Sequence, residues 1–157
     1  MKVKTAINRI YDACHDIAST YDEYRMIEFL NNSIQQVSAL LIAGRYPALV
    51  QEVIVHDGDT LPQNYMQACG TYPLRMTAGA VEILDGSDEV KFRYFANPPL
   101  VSDENDDLPY KHDAINEVIV RGAIILAANE DEYDISQDAN LLNTLQQAIA
   151  SGMQGNL

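Results

Sequence analysis

Val90-Lys91-Phe92-Arg93-Tyr94-Phe95-Ala96-Asn97-Pro98-Pro99-Leu100-Val101-Ser102-Asp103-Glu104-Asn105-Asp106-Asp107-Leu108-Pro109 is the stretch whose reading decides the fold class. Val90, Phe92 and Tyr94 alternate with Lys91, Arg93 and Phe95, the period of a half-buried strand. The strand runs into Asn97-Pro98-Pro99, then into an acidic loop over 102–107. Pro109 is placed near the first turn of a further helix, where its missing N–H costs nothing. Strand, acidic loop and helix in this order predict an α+β chain.

Upstream, Val3, Ile7, Ile10, Cys14 and Ile17 recur at steps of three and four, the stripe of an amphipathic helix. Ser19-Thr20 ends it, and Thr20 with Glu23 fits a capping box for the next helix. That second helix buries Ile27, Leu30, Ile34, Val37 and Leu41 and ends at Gly44, read as a left-handed C′ position. So short a connection predicts an antiparallel helical hairpin over 1–46. After Pro47 the composition turns to β: 49–56 is rich in Val and Ile and is closed by Asp57-Gly58. Residues 74–77 and 80–84 are short strands parted by Gly79, and Asp85-Gly86-Ser87-Asp88 is a turn. A small antiparallel sheet or long hairpin with one wet face is expected over 47–100. The Tyr and Arg residues of its outer face are read either as partner contacts or as cross-strand packing. Ile115, Val118, Ile119, Gly122, Ile125 and Leu126 form the stripe of a third helix, and Gly122 predicts close approach of a neighbouring helix. A fourth helix over 136–150 offers Leu141, Leu142, Leu145 and Ile149. The C-terminal helical pair spans 108–150, and 151–157 is a tail that trails off.

The 157 residues fit one domain of mainly helical-bundle character, about four helices with the small sheet inserted between the second and third. No apolar run approaches the length of a membrane span, and the start is not a signal peptide, so a soluble, cytoplasmically made chain is expected. The formal charge of −13 argues against nucleic-acid binding by phosphate neutralisation. No Lys or Arg follows Arg121, which leaves Glu130, Asp131, Glu132, Asp134 and Asp138 uncompensated. Solubility explains that pole most simply; docking on a basic partner, or repulsion of passing DNA, is the sharper reading.

No constellation of catalytic residues is legible. Cys14 and Cys69 are read as small hydrophobes, not as a disulfide, and His15 beside Cys14 points elsewhere on the helix. Asp103, Asn105 and Asp107 alternate like a calcium loop, yet Leu108 stands where its glycine belongs and Ala114 where its bidentate Glu belongs. Phosphate loops, dinucleotide fingerprints and nucleophile elbows are missing, and His15, His56 and His112 lie in separate elements. The expectation is no enzyme, no cofactor and no metal.

Taken in order, the elements resemble the head–tail connector (adaptor) proteins of tailed bacteriophages. The resemblance is carried by Asp22-Glu23-Tyr24 through Glu28-Phe29-Leu30-Asn31-Asn32-Ser33-Ile34, by Leu61-Pro62, by Phe92-Arg93-Tyr94-Phe95 leading into Asn97-Pro98-Pro99, by the acidic loop, and by Leu108-Pro109-Tyr110. It implies a structural virion protein of the neck: a homo-oligomeric ring, typically twelve copies, that binds the portal, meets tail or nozzle proteins and extends a channel for passing double-stranded DNA. Acidic walls would keep phosphates from sticking. Only a short tail follows the last helix, where some adaptors carry a long portal-embracing arm. Candidate partner-binding residues are Tyr46, Tyr65, Tyr72 and Phe95, near strand edges and loops, with Asp103, Glu104, Asp106 and Asp107 of the acidic loop. The alternatives are a stopper or tail-completion protein of the same neck, or a small cytoplasmic regulatory or ligand-binding module.

Overall fold

The computed structural model describes residues 1–14, 22–129 and 132–154. Among them are four α-helices, α1 (Val3–Ala13), α2 (Glu23–Ala43), α3 (Asp113–Ala128) and α4 (Ala139–Gln154). Five strands lie between α2 and α3: β1 (Val50–His56), β2 (Tyr65–Ala68), β3 (Leu74–Thr77), β4 (Ala80–Ile83) and β5 (Glu89–Ala96). The fold class is α+β, with all strand pairing antiparallel. The chain forms two compact units, Met1–Gly44 with Pro99–Leu157, and Arg45–Pro98. These boundaries fall within two residues of the changes in character at 46 and 100.

In the helical unit the expected stripes are buried. Val3, Ile7, Ile10 and Cys14 line α1, and Ile27, Leu30, Ile34, Val37 and Leu41 line α2. α3 is buried more widely than one stripe, with Val120, Ala123 and Ala127 inside as well, while Ile125 is half-exposed. Gly122 is tight as expected: a Cβ there would stand 2.5 Å from Ser33 Oγ of α2 and 2.9 Å from Ile135 Cδ1. Ser33 is itself fully buried and donates to the Ile119 carbonyl at 2.7 Å.

Several boundaries differ from the sequence reading, each for a local reason. α1 closes at Ala13 with Cys14 as C-cap, earlier than the stripe to Ile17 suggests; Ile17, His15, Ser19 and Thr20 lie outside the described residues. The cap of α2 is Asp22, whose carboxylate accepts the Arg25 N–H at 3.0 Å. Asp is as good an N-cap as Thr and stands directly before the first helical residue, so Glu23 occupies N1, too early to close a capping box. Gly44 does end α2, but its φ is −80°; the left-handed residue is Arg45, at φ 58°. Space at Gly44 is tight, since a Cβ would meet Ile149 Cδ1 of α4 at 2.8 Å and that side-chain end would have to shift. Pro109 precedes α3 by four residues. His112 is the N-cap, its Nδ1 accepting from the Ala114 N–H at 3.3 Å, and Leu108 and Tyr110 are buried ahead of the helix. α4 starts at Ala139 after a single turn of tighter helix, Ile135–Gln137, and continues through Gln154, so 151–154 is helical where a loose tail was expected. Asp138 caps it, accepting from the N–H groups of Asn140 and Leu141, both at 3.1 Å.

The β unit holds two sheets where one was expected: three strands in the order β1-β5-β2, and the separate hairpin β3-β4. The β1/β5 register pairs Gln51 with Tyr94, Val53 with Phe92 and Val55 with Val90 on one face. Glu52 opposite Arg93, Ile54 opposite Lys91 and His56 opposite Glu89 occupy the other, the expected wet face. The inner face packs Val55, Val90, Phe92, Tyr94 and Ala96 with Val81 of β4, flanked by Leu61, Tyr65, Tyr72 and Leu74. Hairpin β3-β4 turns through Ala78 (φ 51°) and Gly79 (φ 81°), both left-handed as a two-residue type I′ turn demands. Alanine is a poor occupant of the first position, where Asn is favoured. Ala78→Asn is therefore expected to stabilise the chain by about 1 kcal/mol, read as a rise in the denaturant midpoint; a fall would mean the turn is not type I′.

Candidate functional site

The acidic loop is a built structure, and it sits on the start of α1. The first N–H groups of any helix lack intrahelical acceptors. Here the Val3 N–H donates to the Asp106 carbonyl at 2.9 Å and the Lys4 N–H to the Glu104 carbonyl at 2.9 Å. The Leu108 N–H returns a bond to the Met1 carbonyl at 2.8 Å, which makes Lys2 and Asp107 bridge partners. Lys2 Nζ then closes on the Asp107 carboxylate at 3.1 Å and on the Asn105 carbonyl at 3.1 Å. Negative side chains are favourable at that helix end, where the peptide dipoles present positive charge.

Within the loop the carboxylates are occupied by local donors. Asp106 accepts from the N–H groups of Ser102 (2.9 Å) and Asp103 (3.1 Å), and these bonds hold its pKa below the usual carboxylate range. Asp103 accepts from Asn105 twice, through the backbone N–H and Nδ2, each at 2.7 Å. From beneath, Asn31 of α2 clamps the loop's entry: its Nδ2 donates to the Val101 carbonyl at 2.8 Å and its Oδ1 accepts the Val101 N–H at 2.9 Å. Buried Val101 and Leu108 anchor the two ends. Asn31→Ala leaves that peptide without both partners, and a loss of about 2 kcal/mol is expected. Accelerated amide exchange confined to 99–108 would mark the loop as the part released.

Of the candidate acids, Asp103 and Asp106 are thus engaged within the loop and Asp107 by Lys2, and Glu104 contributes its carbonyl to α1. Glu104 is half-exposed and its carboxylate makes no ion pair among the described residues. No group of three or more His, Cys, Asp or Glu side chains is placed to hold a metal ion among the described residues.

The four candidate aromatics belong to the β unit and separate into two groups. Tyr65 and Tyr72 close over the core: Tyr65 lies 5.8 Å from Phe92 and from Tyr94, and Tyr72 stands edge-on to Phe92 at 4.9 Å. The Tyr72 hydroxyl accepts the Arg93 N–H at 3.1 Å. These rings, with Leu61, Leu74, Met76 and Val81, line an open apolar cleft of ≈ 320 Å³. Tyr46 and Phe95 are both buried, and Phe95 contributes only to the wall of a pocket beside Arg45. Phe95 instead supports Arg45, whose guanidinium lies 5.3 Å above its ring.

Two residue sets escaped the sequence reading. Asn31 and Lys2, which hold the acidic loop, act across 70 and 105 positions and leave no local trace; two asparagines in a helix interior were the only hint, since Asn is a weak helix former. Arg45 and Arg93 meet around Cys69, a pairing that only the sheet creates: Arg45 Nη2 donates to the Cys69 carbonyl at 2.9 Å, and the Cys69 N–H donates to the Arg93 carbonyl at 2.9 Å. Burial pushes the Cys69 thiol pKa up, against the pull of both arginines.

No protein-family model matches this chain, and no curated protein sequence matches it. Among the described residues no helix is long and apolar enough to cross a membrane.

Proposed function

We propose that the chain is a non-enzymatic structural protein of a tailed-phage neck, a head–tail connector whose copies form a ring joining portal to tail around the DNA channel. The observation that carries this reading is the order of the elements. A helical pair precedes a β unit inserted at 45–98; Asn97-Pro98-Pro99 and an acidic loop lead back; a second helical pair completes the chain. That is the order of the family the sequence resembles. In this reading the four helices pack as a bundle that forms the ring body, and the protein works in the virion after synthesis in the host cytoplasm.

Charge supports it from a second direction. Met1–Gly44 and Pro99–Leu157 together hold 16 Asp and Glu against six Lys and Arg, so the helical unit carries most of the −13. A wall of that sign repels phosphates and leaves DNA free to slide. The test is size-exclusion chromatography with light scattering after mixing with the portal of the same particle, whose gene is expected beside this one. A ring-sized addition to the portal, with no retention of DNA at physiological salt, is the expected result. DNA binding by the isolated chain, or no association with the portal, would overturn the proposal. The apolar cleft of ≈ 320 Å³ favours the second reading, a ligand-binding module; saturable binding of a small apolar compound by a chain that ignores the portal would select it.

A further inference from the structure

We infer that Arg45 and Arg93 form a carboxylate socket for a second copy of this chain, filled by the acidic loop at 102–107 with Glu104 as the entering residue. The inference rests on the ring reading in that it supplies one of the contacts between copies.

The chain has 10 Lys and Arg against 23 Asp and Glu. Lys2, Arg9, Arg25, Arg75 and Lys91 each lie within 4.0 Å of a carboxylate. Lys4, Arg45, Arg93, Lys111 and Arg121 have no carboxylate that close among the described residues, and of these Arg45 and Arg93 are exposed and line one pocket together. They flank a pocket of ≈ 230 Å³ whose remaining walls are Pro47, Val50, Cys69 and Phe95. Two cations lining one open pocket favour an anion between them. Arg45 spends one N–H on the Cys69 carbonyl and keeps further donors for a bidentate carboxylate. Its backbone is also left-handed, at φ 58°, a conformation suited to glycine. Stacking on Phe95 and the bond to Cys69 hold the side chain over the pocket at that backbone cost.

Charge complementarity names the occupant. The helical unit is strongly acidic, and within it the loop at 102–107 is held by Lys2, Asn31 and the α1 amides. Its one carboxylate without an ion pair or a loop donor is therefore presented on a rigid support, which lowers the ordering cost of docking. Socket and plug are different patches of one chain, so each copy offers both. Such a contact is head-to-tail and closes into a ring when the rotation per copy divides the circle.

The test uses the natural Cys69 inside the pocket and a full-length Ser102→Cys chain, whose exposed loop cysteine leaves the Glu104 carboxylate in place, joined by a short bismaleimide; Cys14 is buried and stays out of the reaction. Two differently tagged populations, one with Cys69 alone and one Ser102→Cys/Cys69→Ser, are mixed, so that only contacts between copies register. A heterodimer cross-link is expected, slowed roughly tenfold by Arg45→Glu/Arg93→Glu or by raised salt, and restored by Arg45→Lys/Arg93→Lys. Arg93→Glu alone repeats the test without touching the left-handed residue, and circular dichroism verifies each fold. Cross-linking no faster than from a Glu28→Cys control, or unmoved by charge reversal, would overturn the socket. A ring on the portal with no such cross-link sinks the socket alone; a cross-link with no ring on the portal sinks the neck reading and leaves the contact standing.

Discussion

Phe92→Ala is expected to unfold the β unit and leave the helical unit folded. Phe92 is buried at the centre of the inner face, within 5.8 Å of Tyr65 and Tyr94 and 4.9 Å of Tyr72 by ring centroid. Truncating such a residue costs about 3–5 kcal/mol, from lost transfer energy and from the cavity left behind. The flanking rings cannot collapse into the space easily, because Tyr94 is tied through its hydroxyl to Gln51 and Asn64, and Tyr72 to the Arg93 N–H. A small unit has roughly 5 kcal/mol in total to lose. Hydrogen exchange should then show 45–98 unprotected while α2 and α3 stay protected. Ile54→Ala, on the wet face, should move stability by less than about 0.5 kcal/mol. A Phe92→Ala loss under about 1 kcal/mol would mean that this face is not the core.

At Gly122 two effects of opposite sign compete. Alanine is the better helix former by about 1 kcal/mol. Its Cβ, however, would stand 2.5 Å from Ser33 Oγ and 2.9 Å from Ile135 Cδ1. Ser33 can swing away only by breaking its bond to the Ile119 carbonyl inside the core, a loss of about 1–3 kcal/mol. Overpacking against Ile135, which is fully buried, adds about 1–3 kcal/mol. Gly122→Ala should therefore destabilise by about 2 kcal/mol net despite the propensity gain, and Gly122→Val by more. In a Ser33→Ala background the same change should cost about 1 kcal/mol less. A stabilising Gly122→Ala in denaturant melts would show that α2 and α3 do not approach so closely.

The two units were legible in sequence to different depths. Helical stripes are a local signal, and every position read in α2 is buried because 3.6-residue periodicity places the apolar side chains on one face. The register of β5 was likewise set by alternation, with Val90, Phe92 and Tyr94 inside and Lys91 and Arg93 outside. The ends of elements were less accessible, because several residues can cap a helix and only one is used. Asp22 took that role, and His112 stopped α3 short of Pro109. The division into two sheets was not legible at all. It depends on β2 pairing with β5, across the whole β3-β4 hairpin, through a bulge between Tyr65 and Gln67.

The candidate site divides in the same way. Acidity of 102–107 is visible in the letters, and it suggested a surface awaiting a partner. Tertiary structure showed its carbonyls capping α1 and most of its carboxylates satisfied at home. From the sequence alone came the class of the fold, the buried faces, the need for glycine at 122 and the negative charge, since each follows from residue type and near-neighbour spacing. Only the folded chain could decide which acids remain unengaged, which aromatics lie inside, and that Arg45 and Arg93 share one pocket. Those facts arise from pairs separated by tens of residues, and no periodicity records a contact made across such distances.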